Sequence, residues 1–172
     1  MLLFSRNAGL SITYDETSNN FHFQNIRVCT SIRPLFSYAC VCVNDCILFF
    51  GGDDNFEIRA SKDVHKYSIK ENRWMKFEQT LPFGLSSFVA ILDETNTYVY
   101  IIGGFDGKKA ISTHIRVKVE KWMKEETDIE KQQIAEEDKK IEIEKTKVVK
   151  LIEMLSALRH NHNTQNMRTG YK

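Results

Sequence analysis

No apolar run in this sequence approaches the roughly 20 residues of a membrane span. The opening Met1-Leu2-Leu3-Phe4-Ser5-Arg6 is too short for the hydrophobic stretch of a signal peptide. No Asn-x-Ser/Thr sequon occurs, so nothing marks the chain as a secreted glycoprotein. An excess of one charge is missing too. Lys and Arg number 24 against 23 Asp and Glu, a formal net charge of +1, and no basic stripe with interleaved aromatics is present. This pattern predicts a soluble cytoplasmic protein that engages neither nucleic acid nor membrane.

The motifs of familiar chemistry are absent as well. There is no Gly-x-Ser-x-Gly elbow, no phosphate-binding glycine loop and no His-Glu-x-x-His helix. Five histidines, His22, His65, His114, His160 and His162, are too scattered to form a compact ligand set. Four cysteines include Cys40, Cys42 and Cys46, with Cys29 further back, but paired Cys-x-x-Cys knuckles are lacking. On a strand Cys40 and Cys42 share one face, where free cysteine is expected to act as a small buried hydrophobe. Reduced thiols fit a cytosolic chain. The sequence therefore predicts no catalytic residue, no metal site and no cofactor.

What the chain does contain is internal repetition. An apolar strand runs into paired glycines twice, as Cys46-Ile47-Leu48-Phe49-Phe50-Gly51-Gly52 and as Tyr98-Val99-Tyr100-Ile101-Ile102-Gly103-Gly104. Tyr67 precedes Trp74 across a polar turn, and Tyr14 precedes Phe21 with the same spacing. Near Trp122 the pattern is eroded: Ile115 is expected at the tyrosine's place, and no Asn or Gly makes the turn. Trailing aromatics at Phe21, Trp74 and Trp122 and glycine pairs starting at Gly51 and Gly103 agree on a period of about fifty residues. Val41, Val43, Ile47, Phe49, Val89, Ile91, Val99 and Ile101 alternate with other side chains, which marks strands with two distinct faces. Asn44-Asp45 and Asp93-Glu94-Thr95-Asn96 supply the hairpin turns between them.

The strand ending in Gly-Gly, the Tyr and the later Trp at this period resemble the kelch repeat, across roughly residues 10 to 122. The resemblance implies a mainly β fold, a kelch-type β-propeller of four-stranded antiparallel blades. About two and a half units are present, against the roughly four to eight blades of a closed ring, so the propeller is expected to be incomplete. The expected layout is the end of a preceding blade over 1–28, beginning near a third strand, a repeat over 29–80, and a repeat degenerate at its end over 81–123. In this reading Gly51, Gly52, Tyr67, Trp74, Gly103, Gly104 and Trp122 are structural markers.

The tail changes character. From Ile111 to Thr169 there is neither Gly nor Pro, and Glu and Lys dominate, which predicts a long C-terminal α-helix over 124–159. Residues 160–172 are polar and aperiodic, and composition predicts a disordered tail there. Ile141, Val148, Leu151, Leu155 and Leu158 form a narrow stripe. Two readings stand: a solvated helix with one packed end, or a coiled-coil-like seam for self-association or a partner.

The resemblance implies a noncatalytic protein–protein interaction module, expected to be a fragment of a larger propeller. Adaptor roles of kelch proteins normally accompany a BTB or F-box domain, which this chain lacks. Some kelch-like propellers are copper oxidases, so a piece of a galactose-oxidase-like enzyme is one alternative; a decayed remnant without independent function is another. Recognition by a protein partner is expected in the loops after each glycine pair, at Asp53, Asp54, Asn55, Phe56 and Glu57 and at Phe105, Asp106 and Lys108. Asp106-Gly107 also reads as a plain hairpin turn.

Overall fold

The computed structural model describes residues 1–5, 8–54, 59–112 and 114–169, with side chains described as far as Arg159. Among the described residues, period-two segments bounded by Asn-centred turns form ten strands in three antiparallel sheets. The first sheet holds β1 (Leu2–Ser5), β2 (Ala8–Asp15) and β3 (Asn20–Ile26). The second holds β4 (Ala39–Val43), β5 (Cys46–Phe50), β6 (Val64–Ser68) and β7 (Arg73–Lys76). The third holds β8 (Val89–Leu92), β9 (Tyr98–Ile102) and β10 (His114–Lys118). The fold is mainly β, a propeller-type stack of sheets that does not close, followed by one long helix.

The repeat is visible in backbone detail. Asn19, Asn44, Asn72 and Asn96 sit at hairpin corners with φ of 54, 51, 49 and 56°, the left-handed region that asparagine tolerates. Each intact trailing hairpin is tied by its tyrosine: the Tyr14 hydroxyl donates to Asn19 Oδ1 at 2.6 Å and the Tyr67 hydroxyl to Asn72 Oδ1 at 2.9 Å. The same tyrosines pair across the strands with Phe21 and Trp74. By that register β2 takes the place of β6, so the chain opens on a second strand rather than a third.

Successive sheets pack face to face. Leu2, Phe4 and Ile26 of the first sheet meet Ile47, Phe49, Tyr67 and Trp74 of the second. The Phe4 ring stands edge-on to Phe49, Tyr67 and Trp74, with centroids 5.3 to 5.5 Å apart. The opposite face of the second sheet, with Val41, Val43, Leu48, Phe50 and Val64, meets Leu92, Val99, Ile101, Ile115 and Val117 of the third. The indole of Trp74 also donates to the Arg27 carbonyl at 2.6 Å, which fastens the second sheet to the segment leaving the first.

The second sheet has four strands and the others three among the described residues, as one whole repeat between two partial ones predicts. Two expectations are corrected here. In the third sheet Val117 pairs with Val99 as Tyr67 pairs with Ile47, so Val117 and not Ile115 holds the tyrosine's place. Without a tyrosine-asparagine turn the chain leaves β10 in a 3-10 turn, Val119–Trp122, which drops Trp122 into the core beside Phe50 and Phe77. Its buried indole N–H finds no acceptor among the described residues, unlike that of Trp74. Finally, Cys40 and Cys42 are exposed rather than buried, because they alternate with Ala39, Val41 and Val43, which take the core-facing side of β4; Cys29 is the buried cysteine.

The helix α1 runs from Asp128 to Thr169. Its start is a capping box: Glu130 N–H donates to Thr127 Oγ1 at 3.2 Å, and Thr127 N–H donates to Glu130 Oε2 at 2.9 Å. The other carboxylate oxygen of buried Glu130 accepts from the Glu78 N–H at 3.0 Å. Upstream, Glu126 pairs with Arg73 at 2.9 Å, and Ile134 is buried in the main core. The chain divides into two compact units, Met1–Ile134 and Ala135–Lys172. Within the second, Val148, Leu151, Leu155 and Leu158 are exposed, and Glu137–Lys140 and Glu142–Lys145 pair across one turn. The segment expected to be a disordered tail is helical as far as Thr169, consistent with the lack of any glycine or proline from Ile111 to Thr169.

Both Gly51 (φ 60°) and Gly103 (φ 68°) have left-handed backbones, but their surroundings differ. A methyl on Gly51 would overlap the Leu85 carbonyl and touch the Phe88 ring, whereas one on Gly103 would meet nothing within 4 Å. Gly103→Ala should therefore cost only left-handed strain, roughly 1–2 kcal/mol, and Gly51→Ala clearly more; equal shifts in melting temperature would contradict this packing. Glu130→Ala should lower stability by about 1–3 kcal/mol by orphaning two amides. Glu130→Gln, which keeps the capping box, should recover part of that loss in the same thermal melts.

Candidate partner-binding loops

The loops after the two glycine pairs share one construction. The Asp53 N–H donates to the Phe36 carbonyl at 2.9 Å, the Asp53 carbonyl accepts from the Phe36 N–H at 2.7 Å, and Asp53 also bridges to Ala60. Phe105 exchanges the same pair of bonds with Ser86, at 2.8 and 2.9 Å, and bridges to Ala110. Each loop closes on its glycine: Ser61 N–H donates to the Gly52 carbonyl at 2.7 Å and Ile111 N–H to that of Gly104 at 2.9 Å. Ser37 and Ser87, both at φ 51°, turn the chain from these bridges into β4 and β8.

The two loop bases are joined. Leu85 N–H donates to the Ser61 carbonyl at 2.9 Å, and Gly52 N–H donates to the Leu85 carbonyl at 2.8 Å. Gly84 lies so close to the Ala60 carbonyl that no side chain fits there. A short extended segment, 84–86, thus runs between both loops, and their bases sit side by side on neighbouring sheets. Asp53 and Asp54 are half-buried at the first base; Asn55, Phe56 and Glu57 lie outside the described residues.

In the second loop Phe105 and Asp106 are half-buried and Lys108 and Lys109 are exposed. The Asp106 carboxylate accepts the backbone N–H groups of Lys109 and Lys108, each at 2.8 Å, and these bonds hold its pKa below the ordinary aspartate value. Asp106 therefore shapes its own turn, with Gly107 at φ 92°, and leaves the lysines as the free charges of the tip. Sequence pattern located this turn but not the assignment of its charges, which depends on where the carboxylate folds back.

Elsewhere, a hollow of about 660 Å³ beside β10 is lined by Arg116, Lys118, Lys121 and Lys124 together with Glu120, Thr80 and Pro82. Its basic residues come from a strand, a 3-10 turn and the segment before the helix, so no linear motif announces it. His65 is buried with Nε2 2.9 Å from Ser31 Oγ, while His22 and His114 are exposed on other sheets. Among the described residues no group of three or more His, Cys, Asp or Glu is placed to hold a metal ion. No described helix is long and apolar enough to cross a membrane.

Asp106→Ala should release the Lys108 and Lys109 amides, seen as faster hydrogen exchange at those two positions with the sheets' protection unchanged. Because the folded pKa is depressed, the carboxylate's support is full above the ordinary aspartate pKa of about 3.9. It is lost as pH falls through the lower folded value, so the protection of the two amides, their exchange measured against the intrinsic rate at each pH, should fall in acid. Protection that does not change with pH would show that the turn is held by other means.

The family model described as Kelch motif matches residues 34–78, which hold all four strands of the second sheet. No curated protein matches the sequence. A solved structure titled "Structure of YjhT" aligns with a TM-score of 0.49 at 20% identity, over 59% of this chain and 29% of that one. The present chain thus spans well under two thirds of that structure's length. Residues 34–78 thus carry a kelch motif, and its glycine pair, left-handed Asn turn and loop closure are repeated on the third sheet.

Proposed function

We propose that this chain is a noncatalytic protein-interaction module that presents the loops after Gly52 and Gly104 to a protein partner in the cytoplasm. The observation that carries the reading is the shared base of the two loops. Paired backbone bonds at Asp53–Phe36 and Phe105–Ser86, joined through residues 84–86, hold the two loop bases side by side on a packed scaffold. A bonded base beneath a recognition loop lowers the ordering cost of binding. One base carries Asp53 and Asp54 and the other tip carries Lys108 and Lys109, a charge arrangement suited to a partner surface bearing both signs. Four free thiols suit a reducing compartment.

The test is affinity. A partner captured on the 172-residue chain is identified and its binding measured by calorimetry against Asp54→Lys and against Lys108→Glu with Lys109→Glu. At least one loop's reversal should weaken binding tenfold or more, about 1.4 kcal/mol, with an unchanged melt. Unchanged affinity in both variants would remove these loops from the binding surface.

A further inference from the structure

The chain turns away from the outer edge of β10. The Val119 N–H donates to the Thr97 carbonyl at 2.8 Å, so by strand alternation Val117 and Ile115 turn their backbone groups toward β9, and Arg116 and Lys118 turn theirs outward. β6 is built the same way, with the Ile69 N–H donating to the Asp45 carbonyl at 2.8 Å, and its outward groups are used. The Val64 carbonyl accepts from the Phe77 N–H at 2.9 Å, and Lys66 and Ser68 lie opposite Met75 and Arg73 of β7. After Lys118 the chain enters the 3-10 turn instead, and no strand pairs with this edge of β10 among the described residues.

The hollow of about 660 Å³ follows this edge. Consecutive residues 115–118 all line it, and since neighbours on a strand point to opposite faces, the space opens on the edge of β10 rather than on one face. Four cations, Arg116, Lys118, Lys121 and Lys124, surround it against one carboxylate, Glu120. None of the four has an ion pair among the described residues, whereas Lys66, Arg73 and Lys76 of the second sheet each have a carboxylate within 4.0 Å. Two are held by rings: the Arg116 guanidinium lies 4.7 Å from the centre of the Tyr98 ring, and the Lys121 ammonium 5.4 Å from that of Trp122. In a chain of net charge +1 this is a local and preset excess of positive charge.

We propose that β10 pairs with an extended acidic segment of a protein partner, which adds to the third sheet as an outer strand. The main chain of that segment takes the outward N–H and C=O groups of Arg116 and Lys118. Register then sets its sequence: side chains opposite Arg116 and Lys118 share their face and are acidic, and the one between them shares the face of Val117 and is apolar. The partner segment therefore alternates acidic and apolar residues. Charge complementarity and open backbone groups point to this same occupant, and none of these residues belongs to the loops after the glycine pairs.

The test titrates a fluorescein-labelled heptapeptide alternating Glu and Val with the 172-residue chain at low salt and follows anisotropy. Saturable binding is expected. Lys118→Glu with Lys124→Glu, at two exposed positions, should weaken it about tenfold or more, and added salt should weaken it as well. Lys118 has φ −68°, which proline adopts without strain, so Lys118→Pro removes both the charge and the outward N–H, whereas Lys118→Ala removes the charge alone. The proline variant should bind severalfold more weakly than the alanine variant, with circular dichroism melts unchanged in both. If Lys118→Pro does not fold, the peptide N-methylated at its Glu residues gives the same reading, since it keeps its charge and should fail to bind the parent chain. No binding by the parent chain, equal binding by the charge-reversed chain, equal affinities of the proline and alanine variants, or full binding of the N-methylated peptide would each overturn the proposal.

Discussion

Close approach between neighbouring sheets at the glycine corner is the constraint on which the rest depends. Gly51 can sit against the Leu85 carbonyl and the Phe88 ring only because it carries no side chain, and Gly52 can then donate its N–H to that same carbonyl. That single approach brings the second and third sheets to contact distance. It also lets Phe50, Leu48 and Val41 bury against Val99 and Ile101, and sets the two loop bases beside each other. A β-carbon at this corner would push apart the apolar faces whose burial supplies the main driving force. Rigid loops and buried faces are therefore consequences of one steric allowance.

The end of the repeat follows from the loss of another small device. In the first two sheets a tyrosine hydroxyl locks a left-handed asparagine and turns the chain into a trailing strand. The third sheet has Val117 at the tyrosine's place and no asparagine after it, so the chain shortens into a 3-10 turn. Trp122 still reaches the core, at the cost of an unpaired indole N–H. The Thr127–Glu130 capping box then starts α1, and Ile134, about one turn beyond Glu130, is the helix's anchoring residue. Glu126 and Glu130 tie this start back to Arg73 of β7 and to Glu78 just beyond it.

Much of the sheet architecture was legible. Glycine pairs, Asn turns and Tyr-to-aromatic spacing are short-range signals, because each is tied to a local backbone angle or a single hairpin. The misread elements all depend on long-range packing. Cys40 and Cys42 alternate correctly on β4, but their exposure depends on what lies over that strand. The choice between Ile115 and Val117 depends on pairing with β9, which spacing from Trp122 cannot reveal when the intervening turn changes type. The loop residues were found by position after the glycines. That Asp106 is spent on its own turn while Lys108 and Lys109 stay free was decided by a carboxylate folding back on two amides.

The sequence by itself determined the repeat period, the strand faces, the corners and the helical tail, since these express two-residue and 3.6-residue periodicities and residue-specific dihedral limits. Only tertiary structure decided which faces are covered, where α1 is anchored and how the two loops are set side by side. Burial is a property of the neighbour as much as of the residue: Phe50 and Ile102 occupy equivalent places, and a packed sheet separates one from water but not the other.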